Sequence, residues 1–198
     1  MTDLADRRGM ETEVYQAAED SHLLATAAVE AIGDGDRVLD VGTGSGYVAG
    51  TVAEETGARV VASDLNPHAC RQAREHAAEA DVALDVVRGD LVAPFRDGAF
   101  DAVLFNPPYL PADEDAERDD WMAVALSGGE TGRAVVEPFL DAVGRVLAPS
   151  GVVLVLVSSL TGVDEVLARA NDRGFDAETV AEESYPFETL TVQALRRP

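Results

Sequence analysis

Arg37-Val-Leu-Asp-Val41 runs without a break into Gly42-Thr-Gly-Ser-Gly46, and a helix-like stretch follows from Tyr47 to Glu55. A short apolar run bounded by turn residues reads as a buried strand. Glycines directly after it permit the positive φ of a tight turn and let a ligand approach the backbone. Strand, glycine loop and helix in that order commit the chain to an α/β architecture. The remaining sequence keeps the same rhythm. Strands are expected near 37–41, 59–63, 82–88, 101–105 and 150–157, and helices near 46–56, 67–80, 132–147 and 162–173. Asp20-Ser21 can cap an earlier helix running to about Ile32. Gly174 closes the last helix as a C′ glycine. Two final strands, near 176–183 and 189–195, are joined across Tyr185-Pro186. Alternation of this kind predicts a doubly wound, mainly parallel sheet. Such sheets bind ligands at the C-terminal ends of their strands, and Asp40, Asp64, Asp90 and Asn106 all stand at or just past such ends.

The glycine loop has the spacing G-x-G-x-G, not the G-x-G-x-x-G of a dinucleotide fold. No lysine follows it, which argues against a triphosphate cradle. Asp64 ends the second strand, where a carboxylate can accept both hydroxyls of a ribose. Asp40 precedes the loop, where its charge can meet a cationic group. A ligand with a ribose, a positive charge and no phosphate fits these positions. S-adenosylmethionine is such a ligand.

After the strand Asp101-Ala-Val-Leu-Phe105 comes Asn106-Pro-Pro-Tyr109. Each proline fixes its own φ and pushes the residue before it into an extended conformation. Neither has an N–H. The expected product is a rigid hook with one Asn amide, turned-out carbonyls and an aromatic face. It suits a planar –NH2 group, which needs acceptors for two hydrogens and a surface for its plane. A proline-rich turn with a capping Asn is the plainer alternative.

Together, Asp40-Val-Gly-Thr-Gly-Ser-Gly46, Asp64-Leu-Asn-Pro67, Asp90-Leu91 and Asn106-Pro-Pro-Tyr109 resemble the class I S-adenosylmethionine-dependent amino-methyltransferases. Val14-Tyr-Gln-Ala-Ala-Glu-Asp-Ser21 and Ser127-Gly-Gly-Glu-Thr-Gly-Arg133 are similar to the HemK-related branch of archaea and eukaryotes. That branch methylates the glutamine of the Gly-Gly-Gln loop in class I peptide release factors. The chain has Gln16-Ala17 where the branch often has Glu-Pro. The resemblance implies one Rossmann-like domain over 14–198, with a seven-stranded sheet whose final strand is antiparallel and inserted at the edge. It assigns Ser21, Asp40, Gly42, Gly44, Asp64, Asp90, Leu91 and Asn106 to the cofactor, with Asp64 on the ribose and Asp90 and Leu91 around the adenine. Asn106, Pro107, Pro108 and Tyr109 fall to the substrate. In the expected chemistry, the Asn106 oxygen and the Pro107 carbonyl accept the two N–H groups of the target amide, and Tyr109 packs on its plane. The resemblance also implies a small zinc-binding activator subunit, hence a heterodimer, covering an apolar edge of the sheet. Val82-Ala-Leu-Asp-Val-Val87 is the candidate edge.

Length and composition frame these expectations. A chain of 198 residues suits one domain with a real core. Residues 1–13 are polar and expected to be mobile. No apolar run is long enough to span a bilayer, and no signal pattern is present. The single Cys70 excludes an internal disulfide and fits a reducing cytoplasm. One Cys and three scattered His predict no metal site. The 37 acidic residues outnumber 15 basic ones, all Arg, for a net charge of −22. That balance fits a cytoplasm of molar salt, where the screening length falls to about 3 Å and self-repulsion is muted. The acidic stretch within 110–131, with Trp121, is either a substrate-gripping lid or a short helix anchored on the core. Adenine-N6 or guanine-N2 methylation of nucleic acid is the main alternative, since a base amino group is also planar. Net charge opposes it, because such enzymes must grip phosphates. Lysine methylation would need a base that the hook does not offer. A catalytically idle binding subunit is the reading from another class.

Overall fold

The computed structural model describes residues 20–109 and 128–198. The mobile segment expected over 1–13, and Trp121 with its acidic neighbours, lie outside the described residues. Helix α1 spans 20–31. It is followed by β1 (Arg37–Val41), α2 (Tyr47–Thr56), β2 (Arg59–Asp64), α3 (Pro67–Glu79), β3 (Asp85–Arg88) and β4 (Phe100–Phe105). Then come α4 (Val136–Val146), β5 (Leu147–Ser158), a 3-10 turn (Ser159–Thr161), α5 (Val163–Asp172), β6 (Asp176–Tyr185) and β7 (Glu188–Arg196). The strands form one seven-stranded sheet in the order β3-β2-β1-β4-β5-β7-β6. β1 to β5 pair in parallel, and β7 is antiparallel between β5 and β6. The doubly wound expectation holds, including the inserted final strand.

Side chains alternate across the sheet and fill two layers. On one face, Val38, Leu104, Leu154 and Val192 pack with Leu24 and Ala28 of α1 and Val48 and Val52 of α2. On the other, Leu39, Val103, Phe105 and Val155 pack with Phe139, Leu140 and Val143 of α4 and Val166 of α5. The parallel register sets the site. Val41 lies opposite both Ser63 and Phe105, and Asp64 lies opposite Arg88. Gly42, Asp64 and Asn106 therefore leave the sheet side by side, with Gly89-Asp90 alongside.

Several boundaries differ from expectation. The helix expected from 132 begins at Val136, because residues 128–134 form a glycine turn closed by Ala134 N–H to the Gly128 carbonyl and Gly132 N–H to the Gly129 carbonyl. The strand expected from 82 begins at Asp85. The Val82 N–H returns to the Ala77 carbonyl and ends α3 instead. β5 starts at Leu147, earlier than expected, because a register shift lets Phe100 pair with Leu147 before Ala102 pairs with Val152. β3 is one edge of the sheet and β6 the other. β6 carries Glu178, Glu182 and Glu183 exposed, and charge on an edge strand resists edge-to-edge pairing.

Candidate active site

The C-terminal ends of β1, β2, β3 and β4 open into a cleft of about 470 Å³. Gly42, Gly44, Asp64, Asp90, Leu91, Asn106 and Pro108 line it, as does Phe105 from the core. Seven of the expected site residues thus meet in one cavity. Among the described residues no Lys or Arg lines the cleft, whereas Asp64 and Asp90 do.

The glycine loop follows from its own backbone. Gly44 has φ +54° and a Cβ there would meet no atom within 4 Å, so conformation rather than packing demands glycine. Its N–H donates to Asp64 Oδ2 at 3.0 Å, and Asn66 N–H donates to Asp64 Oδ1 at 2.8 Å. Those two bonds fix the carboxylate while each oxygen keeps acceptor capacity for a hydroxyl. Asn66 also caps α3, accepting from His68 N–H at 2.9 Å. Glycine loop, Asp64 and α3 are therefore one hydrogen-bonded unit.

Asp40 does not line the cleft. It lies beneath the loop, 2% exposed, and accepts from the Thr43 hydroxyl at 2.6 Å. Burial pushes its carboxyl up to about 7, against the Thr43 hydroxyl and the Ala49 N–H, which favour the charged form; the Asp64 charge adds to the rise. A cation in the cleft would draw it back toward ionisation.

Asp90 and Leu91 stand on the turn after β3. Leu91 takes φ +44°, a conformation that costs a non-glycine residue about 1–3 kcal/mol unless its surroundings impose it. Arg145 of α4 supplies the brace. It donates to the carbonyls of Phe95 (2.6 Å) and Val92 (2.9 Å) and to Asp97 Oδ1 (2.8 Å). Sequence reasoning missed Arg145, because nothing local links it to a turn some 50 residues earlier in the chain.

The hook departs from the expected picture: of its four residues only Asn106 and Pro108 line the cleft. Asn106 faces the cleft, and its Nδ2 donates to Ser21 Oγ at 3.5 Å. Ser21 stands behind Asn106 and is not a lining residue. Pro107 is buried. Tyr109 is absent from the cleft lining: its ring packs against the α1 side of the core, and its hydroxyl donates to Asp20 Oδ2. Burial first, then Asp20, holds the phenol far above its ordinary range, so it stays a donor.

The wall opposite β2 and α3 was also missed. Ala134, Val135 and Pro138 complete the cleft there. They follow the glycine turn, whose Gly132 (φ +71°) packs so tightly that a Cβ would sit 2.6 Å from the Tyr109 carbonyl oxygen. Arg133 fixes the turn by donating to the Thr161 carbonyl at 2.5 Å and pairing with Glu137 at 3.3 Å. The Gly-Gly-Glu-Thr-Gly-Arg spacing was the available signal.

The model of the methyltransferase small domain family matches residues 16–123. The chain belongs to that methyltransferase family. A putative protein N5-glutamine methyltransferase of Methanocaldococcus jannaschii is 37% identical over 180 residues, covering 91% of this chain and 90% of the relative. The human methyltransferase HEMK2 is 30% identical over 193 residues, covering 93% and 90%. Among solved structures, a chain of the E. cuniculi Mtq2–Trm112 complex, responsible for the methylation of the eRF1 translation termination factor, superposes with a TM-score of 0.73. It is 28% identical and covers 91% of this chain and 96% of that one. The resemblance to the HemK-related branch is thereby met by relatives along nearly the whole length. The methyltransferase family implies S-adenosylmethionine, and the cleft is compatible with it: the Asp64 carboxylate is fixed by two backbone N–H groups, Asp90 adds a second carboxylate, and no cationic side chain lines the cleft among the described residues.

Proposed function

We propose that the protein transfers a methyl group from S-adenosylmethionine to the side-chain amide of the glutamine in the Gly-Gly-Gln loop of a peptide chain release factor. The observation that carries this reading is the placement of Asn106 in the same cleft as Asp64, with its amide nitrogen already engaged by Ser21. Oδ1 is then the atom that Asn106 offers to a substrate. Gly42, Gly44, Asp64, Asp90 and Leu91 would hold the cofactor, with Asp40 and Ser21 supporting them from beneath and behind.

When bound, S-adenosylmethionine supplies a methyl group already activated by its sulfonium. An amide nitrogen is a poor nucleophile, because its lone pair is delocalised into the carbonyl. The Asn106 oxygen and the Pro107 carbonyl accept its two N–H bonds, turn the lone pair toward the cleft and draw the nitrogen toward tetrahedral geometry. As the new N–C bond forms, the methyl–sulfur bond would break, the cofactor would leave as a neutral thioether, and one amide proton would pass to solvent water at the open cleft. Alignment and fixed dipoles supply most of the acceleration. A nucleic-acid amino group has the same shape, but a net charge of −22 and the lack of a cationic lining residue among the described residues oppose phosphate binding.

A small zinc-binding partner is part of the proposal. β3 pairs only with β2 and leaves its outer edge open among the described residues, with Val86 and Val87 half-buried. A partner strand there would cover both. Action on a translation factor would set the enzyme in the cytoplasm. Methyl transfer from labelled S-adenosylmethionine in molar potassium chloride, with and without the partner, tests the reading. Label on an archaeal release factor that vanishes in its Gln-to-Ala version supports it. Label on genomic DNA instead would overturn the assignment of substrate.

A further inference from the structure

We infer that Asp20 is a positioning residue for the transfer, holding the substrate hook through the hydroxyl of Tyr109. The inference rests on the function proposed above. The sheet cannot hold the hook. Pairing of β4 with β1 and with β5 ends at Phe105, and the two prolines bring no N–H. The first turn of α1 supplies the missing restraint at two points. Ser21 Oγ accepts from Asn106 Nδ2 at one end of the tetrapeptide, and Asp20 Oδ2 accepts from the Tyr109 hydroxyl at the other. Adjacent residues of one helix thus grip both ends of Asn106–Tyr109, with Pro107 and Pro108 between.

Asp20 is 3% exposed. Removing a carboxylate from water is costly unless hydrogen bonds compensate, so its burial against Tyr109 is a specific arrangement rather than a solvated helix start. The ring of Tyr109 belongs to the apolar layer beneath α1 and not to the cleft wall. Gly132 closes on the Tyr109 carbonyl, leaving no room for a Cβ. Tyr109 is therefore an anchor whose place sets the Pro107 carbonyl relative to Asn106. Misplacement of reacting groups by about 1 Å can cost a hundredfold in rate.

The test compares Tyr109→Phe, Tyr109→Ala, Asp20→Asn, Asp20→Ala and the double variant Asp20→Ala/Tyr109→Phe. All are assayed as the full chain with its partner in molar salt, reading kcat, KM for the acceptor protein, cofactor Kd and melting temperature. Tyr109→Phe and Asp20→Ala are expected to lower kcat about tenfold or more, with cofactor Kd within twofold. The double variant should be no slower than the slower single one, and Asp20→Asn, which keeps an acceptor, should recover part of the loss. Tyr109→Phe keeps the ring, so it stands as the test even where Asp20→Ala fails to fold. Wild-type kcat in Tyr109→Phe beside an inactive Tyr109→Ala would overturn the inference in favour of ring stacking. A lowered melting temperature with unchanged kcat, or additive losses in the double variant, would reduce the contact to a structural one and overturn it as well. A wild-type protein that methylates no acceptor would instead sink the proposed function, and the inference with it.

Discussion

Replacing Asp40 with Asn should change how the stability of the unliganded protein depends on pH. The folded carboxyl sits at about 7, raised from 3.8 chiefly by burial. A raised acid keeps its proton in the folded state over a window where the unfolded chain has released it. Its contribution is therefore complete at acid pH and is lost as the pH rises from about 4 to about 7. Between pH 5 and pH 8 those two values cost the folded state roughly 2.5 kcal/mol, and above the folded value the loss stops growing. Asn cannot ionise, so Asp40→Asn should escape that loss while keeping an acceptor for the Thr43 hydroxyl. Thermal unfolding of both proteins at fixed molar salt, from pH 5 to pH 8, reads the difference. Groups common to both, such as Asp141 between Arg169 and Arg173, cancel in the comparison. The gap between the melting temperatures should move in favour of the variant by roughly 5–10 °C across the range. Parallel curves would refute the reasoning, because they would mean that Asp40 is solvated or already ionised in the folded protein.

Other outcomes follow from the same geometry. Asn106→Ala should lower kcat by about a hundredfold or more while leaving cofactor affinity by calorimetry within a few-fold; lost affinity would contradict the division of roles. Gly132→Ala combines a positive φ with a Cβ 2.6 Å from the Tyr109 carbonyl, and should destabilise by about 1–3 kcal/mol. Denaturant unfolding would expose a benign substitution, which would mean that the glycine turn is not packed on the hook. With 37 acidic residues against 15 basic, the melting temperature should rise steeply from millimolar to molar potassium chloride; an unchanged value would count against adaptation to high salt. Cofactor affinity should increase between pH 6 and pH 8 in the wild type, as Asp40 ionises beneath a cationic ligand, and should stay flat in Asp40→Asn.

The parallel sheet and seven of the cleft residues were legible in the sequence because each has a local cause, whereas the inserted last strand was implied only by the family resemblance. Apolar runs five or six residues long end in glycine, aspartate or Asn-Pro, so each strand announces both itself and the residue it delivers to the C-terminal edge. Parallel pairing then needs only a common register to set Gly42, Asp64 and Asn106 side by side. What the tertiary structure alone decided is where those residues point and what holds them. Asp40 lies under the loop instead of in the cleft, and Tyr109 turns toward Asp20 instead of toward a ligand. Arg145 braces the strained Leu91 turn, and Gly132 closes on the hook. Each of these depends on a contact between groups far apart along the chain. Periodicity and turn chemistry report a residue's own neighbourhood, whereas such contacts exist only once the sheet has brought separate segments to one edge.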